Sequence, residues 1–482
     1  MIRAGIIGFL TAKCLIICSR NVFIGILYSF FRLLKIHTFI GNMSNKNNKK
    51  IIRSWAMFDW ANSAYNLVIT STIFPAYYVI ITTNANTKDK VAFFGHYFVN
   101  TALQDYALAA AYMLIVLLLP ILTSIADYRG NKKAFMMFFT WLGSLACCGL
   151  FKFDIHHLEF GIICFALAAI GYSGGFVFYN SYLPEIATLD KQDSVSAKGF
   201  TYGYIGSVLL QLICFAFVLS PKTFGITDAS LPARLSFLLV GIWWIGFAYI
   251  PFTILPKGSP NAVVHNHHII KGGFIELGNV FAKVKTMPLL KRFLPAFFFY
   301  SMGVQTIMLV ATGFGAKILH LPTSALISII LIIQLVAIVG ANLMSKLSAR
   351  YGNIPVLAGV VVVWIFTCIA AYFITNATEF YLLAIVVGLV MGGIQSLSRS
   401  TYSKYLPQDI PDTASFFSFY DVTEKLAIVT GLLTFGYIEE LTGSMRNSTL
   451  ALCGFFIVGL ILLLSLLAAE KKDRNFSQIS SR

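Results

Sequence analysis

The sequence predicts an all-α protein that crosses a membrane twelve times, built as two parallel repeats of six helices. Three observations predict this fold class: the composition, the number of long apolar segments, and motifs that recur at a constant distance. Of the 482 residues, 57% are apolar and 12% are charged, whereas soluble proteins have about 45–50% and about 25%. A soluble fold would expose too much apolar surface to water, and disordered chains have the opposite composition.

The net charge is +16, from 36 Lys and Arg against 20 Asp and Glu residues. These charges lie in short loops between apolar segments, so membrane topology explains them better than nucleic-acid binding does. The eight cysteines lie in or beside apolar segments without zinc-ligand spacing or a disulfide framework. No enzyme motif is visible. We therefore expect no enzyme, metal, cofactor or nucleic-acid partner.

Residues 1–42 differ from the rest of the chain. Charged residues interrupt their apolar runs, so no uncharged stretch reaches the roughly 20 residues that a span needs. No signal-peptide cleavage site is visible. We interpret Met43 as the start of the protein and residues 1–42 as a doubtful extension. The alternative is a basic helix at the membrane interface.

Twelve apolar segments after Met43 are long enough to span a bilayer. Backbone groups in hydrocarbon must bond internally, so the segments are predicted to be helices, and they lack the alternation of barrel strands. They cover residues 55–81, 100–125, 133–152, 158–183, 199–220, 232–255, 293–316, 323–346, 354–375, 379–402, 414–438 and 447–469.

Lys and Arg residues are distributed unevenly between the two sides of these spans. From Met43 onward, one side carries 23 of them and the other carries seven. The positive-inside rule then places both termini in the cytosol. The resulting organisation is a first bundle over 43–255, a cytosolic loop over 256–292, a second bundle over 293–470 and a cytosolic tail over 471–482.

The long central loop has two features. A short amphipathic piece near Phe274–Val284 is expected on the inner membrane surface. His265, His267 and His268 precede it, and we interpret them as part of a solvated loop rather than as metal ligands.

The two halves contain matching motifs. Ile125–Asn131 reads Ile-Ala-Asp-Tyr-Arg-Gly-Asn and Leu347–Asn353 reads Leu-Ser-Ala-Arg-Tyr-Gly-Asn, with the Gly-Asn pairs 222 residues apart. Tyr182-Leu-Pro184 and Tyr405-Leu-Pro407 are 223 residues apart. Six spans per half make the repeats parallel, and such a fold places a substrate site between the halves and exposes it alternately to each side.

The junction of spans 2 and 3 reads Thr123-Ser-Ile-Ala-Asp-Tyr-Arg-Gly-Asn-Lys132. It resembles the signature of the major facilitator superfamily at this junction, roughly Gly-x-Leu-Ala-Asp-Arg-x-Gly-Arg-Lys. The matching positions are Ala126, Asp127, Gly130 and Lys132, and the departures are Thr123, Tyr128 and Asn131.

Four further motifs are similar to one branch of that superfamily. They are Phe58-Asp-Trp-Ala-Asn-Ser-Ala64, Phe178-Tyr-Asn-Ser-Tyr-Leu-Pro-Glu185, Gly393-Ile-Gln-Ser-Leu-Ser-Arg-Ser400 and Phe419-Tyr-Asp-Val422. The branch contains the fungal vacuolar amino-acid effluxer linked to autophagy and its bacterial relatives, and the resemblance covers about 52–470.

The resemblance implies a secondary transporter that moves a small solute across the bacterial inner (plasma) membrane. Amino acids are the candidate substrates and efflux is the favoured direction. The expected partners are the solute, the lipid bilayer and protons, and the expected state is a monomer. The alternatives are an importer of another small solute such as a sugar, and a non-transporting scaffold or lipid-handling protein.

Polar residues inside spans normally face the bundle interior or a cavity. Asp59, Asn62, Asn66 and Thr70 of the first span fall within roughly 80° of helical arc and predict a cavity-facing stripe. The alternative is interhelical hydrogen bonding alone. Asp59 lies near the cytosolic end, so we expect it to act at a gate or in proton coupling.

In the superfamily that the sequence resembles, helices 1, 4, 7 and 10 line the cavity. The resemblance therefore implies substrate contacts from Tyr179, Asn180, Tyr300, Gln305 and Gln395. Arg399 lies one turn from Gln395. It is predicted either to bind a substrate carboxylate or, as the preferred interpretation, to form an ion pair with Asp59 or Asp421 at the cytosolic gate.

The eleventh span carries three charged residues. We expect Asp421 and Lys425 to pair at i, i+4, which leaves Glu424 as the lone carboxyl and the proton-coupling residue. The alternative is a structural Glu424–Lys425 pair. Gln211 and Gln334 are expected to be packing residues.

The junction of spans 2 and 3 carries Asp127, Arg129 and Lys132, which we expect to hold the outward-facing state. A carboxylate there can cap a neighbouring helix or pair with a base across the halves. Two glycine pairs, Gly174-Gly175 and Gly392-Gly393, predict close packing or flexing of helices.

Overall fold

A computed structural model describes residues 46–83, 90–257, 269–407 and 412–480. The extension 1–42 and the three histidines of the central loop lie outside the described residues. Twelve long helices follow the predicted spans in order. They are α1 Lys49–Thr82, α2 Asn100–Arg129, α3 Lys132–Gly149, α4 Leu158–Asn180, α5 Gln192–Leu219, α6 Leu231–Ile254, α7 Pro288–Ile318, α8 Thr323–Tyr351, α9 Asn353–Phe373, α10 Ala377–Tyr405, α11 Thr413–Thr442 and α12 Met445–Ser480.

Shorter elements connect these helices. Strands β1 Lys90–Phe93 and β2 His96–Val99 form an antiparallel hairpin between α1 and α2. An 18-residue helix, here called the loop helix, covers Ile269–Thr286 between α6 and α7. The remaining short elements are the 3₁₀ turns Leu150–Lys152, Ile155–His157 and Pro221–Phe224 and the helix Leu183–Ile186.

Eleven of the twelve helices pass a length and hydropathy criterion for crossing a membrane. The remaining one, α11, is 30 residues long and carries Asp421, Glu424 and Lys425, which lower its hydropathy. The prediction of twelve helices is therefore confirmed, and the protein is an integral membrane protein. Helix α12 continues to Ser480, into the segment predicted as a cytosolic tail. The prediction ended too early because hydropathy marks the part of a helix that crosses the membrane and not the end of the helix.

The helix contacts repeat with a period of six helices. In the first half α1 packs on α5 and α6, α2 on α4, and α3 on α4 and α6. In the second half α7 packs on α11 and α12, α8 on α10, and α9 on α10 and α12. Across the halves α2 meets α11 and α8 meets α5. Helices α8 and α11 are the counterparts of α2 and α5, so exchange of the halves turns the α2–α11 contact into the α8–α5 contact. This symmetry confirms the two parallel repeats.

The packing of α8 against α10 in the second half depends on glycine. A Cβ atom at Gly392 of α10 would overlap the carbonyl oxygen of Ala337 in α8, and one at Gly340 of α8 would overlap that of Leu389. In the first half a Cβ atom at Gly174 would overlap the ring of Phe139. The glycine pairs of α4 and α10 therefore serve close packing.

Helix α1 is not a uniform α-helix. Asn66–Thr72 is π-helical, whereas the sequence-based stripe assumed α-helical spacing throughout. Pro75 explains the change, because it cannot donate to the carbonyl of Ser71 and its ring displaces that carbonyl. The Thr72 hydroxyl donates to the carbonyl of Leu67 within this turn at 2.7 Å. π-helical turns are frequent at functional sites.

The two ends of the bundle carry different elements. The terminal side holds the start of α1, the α2–α3 and α8–α9 junctions and the loop helix, and the hairpin side holds β1 and β2. The loop helix packs on α2 and buries Val280 and Val284. It also reaches the start of α11, where Lys283 Nζ lies 2.8 Å from Asp412 Oδ2. The loop helix therefore contacts both halves. The prediction placed its Phe274–Val284 piece on the membrane surface and did not include these contacts.

Candidate substrate cavity and gate

A polar cavity lies between the two halves. It contains about 1350 Å³ of empty space, its open mouth included, which is enough for a small solute. The first half contributes walls from α1, α2, α4 and α5, and the second half from α7, α8, α10 and α11. The predicted residues that line it are Asp59, Asn66, Thr70, Asn180, Tyr300, Gln305, Gln395, Arg399, Glu424 and Lys425.

Exposure along α1 shows which end of the cavity is open. Asp59, toward the terminal side, is 1% exposed. Asn66 and Ser71, further toward the hairpin side, line the same cavity and are exposed. The cavity is therefore accessible from the hairpin side and closed at the terminal side.

An ion pair between the halves lies at the closed end. Arg399 Nη1 of α10 is 3.6 Å from Asp59 Oδ2 of α1, and both side chains are at most 2% exposed. Arg399 also donates to Ser196 in α5, from Nε to Oγ at 3.0 Å and from Nη2 to the carbonyl at 2.8 Å. Its Nη1 donates to Asn180 Oδ1 at 3.2 Å. Because α1, α4 and α5 belong to the first half, these bonds tie the halves together.

Aromatic rings of the first half surround this guanidinium. Its centre lies 4.9, 5.4 and 4.2 Å from the ring centroids of Trp55, Tyr179 and Phe200, within the range of cation–π attraction. The Tyr179 hydroxyl donates to Asp59 Oδ2 at 3.0 Å. Tyr179 therefore supports the ion pair and does not line the cavity, contrary to its predicted place. Trp55, one turn before Asp59, was the signal that the sequence analysis overlooked.

Asn62 also lies outside the cavity wall. Helical geometry places it about 60° from Asp59 on the side away from Ser63. It is fully buried, and neither its Oδ1 nor its Nδ2 makes a hydrogen bond with the described residues. Ser63 takes the position on the wall and donates to Asp59 Oδ1 at 2.9 Å. The predicted cavity-facing stripe therefore included one residue, Asn62, that does not face the cavity.

Three glutamines and Tyr300 are predicted to lie in the cavity or in helix packing, and their contacts show where each lies. Gln395 Oε1 accepts a hydrogen bond from Tyr204 of the first half at 2.8 Å. The Tyr300 hydroxyl is 2.7 Å from Ser398 Oγ. Gln334 lines the cavity, whereas Gln211 bonds Thr72 at 2.8 Å beside the π-helical turn. Of the two expected packing residues, Gln334 is thus placed on the wall.

The charges of α11 pair differently from the prediction. Lys425 Nζ lies 3.4 Å from Glu424 Oε2, so the expected Asp421–Lys425 pair is wrong. The long Lys425 side chain reaches into the cavity over the ring of Tyr112, 5.3 Å from its centroid. Glu424 is on the same wall and accepts from Gln305 Nε2 at 2.9 Å. Glu424 is therefore a paired carboxyl, not a lone one.

Asp127 joins the halves at the α2–α11 contact. Its Oδ1 accepts from the backbone N–H of Ala414 at 3.2 Å and its Oδ2 from that of Ser415 at 2.6 Å. Both N–H groups belong to the first turn of α11, which lacks intrahelical partners and carries the positive end of the helix dipole. Of the two predicted roles, helix capping is the one that the geometry shows.

The two basic residues predicted at this junction, Lys132 and Arg129, differ in their contacts. Lys132 Nζ donates to Glu185 Oε1 and, at 3.3 Å, to Thr413 Oγ1. The Thr413 hydroxyl in turn donates to Glu185 at 2.8 Å. Arg129 is exposed, and within the described chain it makes no ion pair. The structure therefore brings Lys132 but not Arg129 into the contact between the halves.

The α5–α8 contact is the counterpart of the α2–α11 contact in the two repeats. Its carboxylate lies on α5, whereas the equivalence of α8 with α2 would place it on α8. Asp193, in the first turn of α5, accepts from Ser348 Oγ and Asn353 Nδ2 at 2.9 Å each, and Lys404 Nζ is 2.6 Å away. The position equivalent to Asp127 in the second half is Ala349. Because the first half supplies both carboxylates, a motif search in the α8–α9 junction could not find this contact.

Replacement of Asp127 by Asn is expected to favour opening of the terminal side. The loss of a charge from the first turn of α11 costs about 1 kcal/mol, or about fivefold in the ratio of closed to open molecules. Spin labels at the exposed terminal-side positions Arg53 and Arg350, on α1 and α8 in a background without native cysteines, report the distance between the halves. Arg129→Gln is the matched control and should leave the distance distribution unchanged. An unchanged distribution in Asp127→Asn would refute the capping role.

Comparisons with known proteins agree with this architecture. The family model for vacuole effluxer Atg22-like proteins matches residues 47–477. An uncharacterized transporter of the major facilitator type, YxiO from Bacillus subtilis, is 32% identical over 411 residues, which are 85% of this chain and 93% of that protein. Autophagy-related protein 22 of Yarrowia lipolytica is 29% identical over 329 residues, 61% of this chain and 54% of that protein.

Solved structures share the fold at low sequence identity. The major facilitator transporter FucP in its outward conformation aligns with a TM-score of 0.65 and 12% identity over 88% of this chain and 99% of that chain. A bacterial homologue of ferroportin aligns with a TM-score of 0.61 and 11% identity over 87% of this chain and 98% of that chain. Because the family match spans nearly all described residues, this chain belongs to the vacuole effluxer Atg22-like family of membrane transporters of the major facilitator type.

Proposed function

We propose that the protein is a secondary transporter that carries a small polar solute by alternating access, with amino acids as the candidate substrates and export as the favoured direction. The observation that carries the proposal is the polar cavity between two similar halves. It is open at one side and closed at the other by bonds that run from half to half. A cavity within one half would not change its access when the halves tilt.

The charges around the cavity favour a solute without net charge. The wall carries two acids and two bases, in the pairs Asp59–Arg399 and Glu424–Lys425, and these cancel. Neutral amide and hydroxyl groups fill most of the remaining polar surface, including Asn66, Gln305 and Gln395. A zwitterion finds both signs of charge on such a wall without creating an unpaired charge. This balance supports amino acids, and the description of the family as effluxers supports export.

The positive-inside rule assigns the terminal side to the cytosol. On that basis we propose that the structure is the outward-facing state, and that the protein acts as a monomer in the bacterial inner membrane. Access from the cytosol then requires the loss of three contacts between the halves, which are centred on Arg399, Asp127 and Asp193. Closure of the hairpin side accompanies that opening, so only one side of the cavity is open at a time.

The experiment is uptake and counterflow in proteoliposomes with a panel of labelled amino acids and sugars. Saturable flux of amino acids supports the proposal. Flux of sugars alone would overturn the substrate class, and movement of labelled lipid without flux of any solute would overturn transport. Exchange of an internal for an external amino acid separates a carrier from a channel, because counterflow requires a cavity that is never open to both sides.

Replacement of Gln305 by Leu is expected to lower this flux at least about tenfold. Gln305 lines the cavity and donates to Glu424 Oε1 at 2.9 Å, and an unsatisfied partner of a charged group costs about 1.5–3 kcal/mol. Thr430→Val is the matched control, because Thr430 is exposed and its hydroxyl bonds only Leu426 of its own helix. Equal flux in Gln305→Leu and the control would contradict the assignment of this wall to the substrate.

A further inference from the structure

Five ionisable side chains meet around the closed end of the cavity. They are Asp59, Arg399, Asp421, Glu424 and Lys425, all in the interior of the bundle. Each of the two bases has an acid: Arg399 is 3.6 Å from Asp59, and Lys425 is 3.4 Å from Glu424. Three acids therefore face two bases, and one acid has no base of its own.

The remaining acid is Asp421. Its side chain is 2% exposed, and its Oδ2 makes no hydrogen bond with the described residues. It does not line the cavity, so solvent in the cavity does not reach it. An ionised carboxylate with one oxygen left without a partner in such an interior is so costly that protonation is favoured. The geometry therefore favours the neutral acid at Asp421 in this conformation.

The groups that act on Asp421 come from three helices. Arg399 and Tyr402 face it from α10, and the amide of Asn180 faces it from α4. On its own helix the charges of Glu424 and Lys425 act on it, as does the Tyr420 hydroxyl. From the other neighbours, Tyr112 of α2 faces Lys425, Tyr300 of α7 faces Glu424, and Asp127 of α2 caps the start of α11. Arg399 is thus the base for which Asp421 and Asp59 compete.

Asn180 connects the two competing sites. Its Oδ1 accepts from Arg399 at 3.2 Å, whereas its Nδ2 has no hydrogen-bond partner among the described residues. A neutral Asp421 does not need that donor, but an ionised one does. The orphan Nδ2 therefore does not stabilise a carboxylate at Asp421 in this conformation.

We propose that Asp421 is the proton-binding residue of the transport cycle and that its protonation controls the ion pair between the halves; this proposal rests on the proposed transport function. With the proton bound, Arg399 pairs with Asp59 and the terminal side is closed. When motion of the halves admits water to Asp421, its O–H bond breaks, the proton passes to that water, and the carboxylate attracts Arg399. Arg399 and Asp421 are both in the second half, so this exchange removes the ion pair between the halves and allows the terminal side to open.

The direction of the effect follows from the sign of this linkage. The closed form holds one more proton than the open form, so higher pH favours opening. The ratio of open to closed molecules rises by up to about tenfold per pH unit. Protons and solute then share one conformational change, which couples the solute flux to a proton gradient.

The experiment measures the distance between spin labels at Arg53 and Arg350 from about pH 5 to about pH 9, a range that spans the titration of general acid–base groups near neutral pH. The native chain is expected to shift from the short to the long distance as pH rises. Asp421→Asn, which is permanently neutral, should keep the short distance at every pH. Glu424→Gln, which lacks the neighbouring carboxyl, should still shift. Glu439→Gln is the matched control, because Glu439 lies on the same helix 3.5 Å from Lys317, far from Arg399, and it should shift as the native chain does.

Three results would overturn the proposal: no shift in the native chain, an unaltered shift in Asp421→Asn, or loss of the shift in Glu424→Gln alone. If Asp421→Asn does not fold, Asp421→Glu decides, because a displaced midpoint supports the proposal and an unchanged midpoint overturns it. Solute flux without any pH response refutes this coupling but not transport, and a pH response without flux of any solute refutes transport.

Discussion

Replacement of Arg399 by Leu is expected to abolish solute flux and to lower the free energy of unfolding by about 3–5 kcal/mol, the range found when one member of a buried ion pair is removed. Asp59, at 1% exposure, would be left without a base and would have to bury an unpaired charge or take up a proton. Ser196 and Asn180 would lose their bonds to the guanidinium. The terminal side would lose its central contact between the halves, so the cavity could no longer be held closed there.

A double variant separates the gate from the stability of the fold. Asp59→Asn combined with Arg399→Leu removes both charges, and it should regain most of the lost stability because no unpaired charge remains buried. Flux should not return, because the charge pair that closes the terminal side is absent. Thermal unfolding in detergent and flux in proteoliposomes measure the two effects. Native flux in either variant would refute the gate.

Arg399→Lys tests what the guanidinium adds to its charge. An ammonium group cannot reproduce the three hydrogen bonds that Arg399 makes through Nε, Nη1 and Nη2. We expect partial flux and an intermediate stability from this change.

The twelve helices and the two repeats could be predicted because both depend on local information. Hydrophobic length finds a span from its own residues, and parallel repeats leave matching motifs at a constant offset. Even α11 was found, although Asp421, Glu424 and Lys425 lower its hydropathy, because its apolar stretches on either side are long. The amphipathic piece of the central loop was found for the same reason.

The details of α1 show where local patterns fail. The stripe of Asp59, Asn62, Asn66 and Thr70 assumed constant helical spacing, but Asn62 turns into the packed interior and Asn66 begins a π-helical turn. Pro75 was visible in the sequence as a cause of such a change. The direction of the change depends on tertiary contacts such as the bond of Thr72 to Gln211 at 2.8 Å.

The pairing of charges could not be derived from spacing alone. The i, i+4 rule paired Asp421 with Lys425, but the Tyr112 ring and the cavity draw Lys425 toward Glu424. Asp193 was missed because its partners, Ser348 and Asn353, are more than 150 positions away. Such contacts depend on how the halves meet, which no single stretch of sequence encodes.

The central claim is that the halves must separate at the terminal side during each transport cycle. The pair Thr201 and Asn342 offers a direct test, because Asn342 Nδ2 of α8 donates to Thr201 Oγ1 of α5 at 2.9 Å across the halves. Both positions belong to the terminal part of the α5–α8 contact and neither lines the cavity. We therefore expect oxidation to link cysteines placed at these two positions in the observed state, in a background without native cysteines.

The measurement is solute flux in proteoliposomes before oxidation, after oxidation and after reduction of the linked protein. The account predicts that the link stops flux, that a reducing agent restores it, and that each single-cysteine variant is unaffected by oxidation. Undiminished flux through fully linked protein would show that the halves need not separate there, and it would contradict alternating access through this cavity.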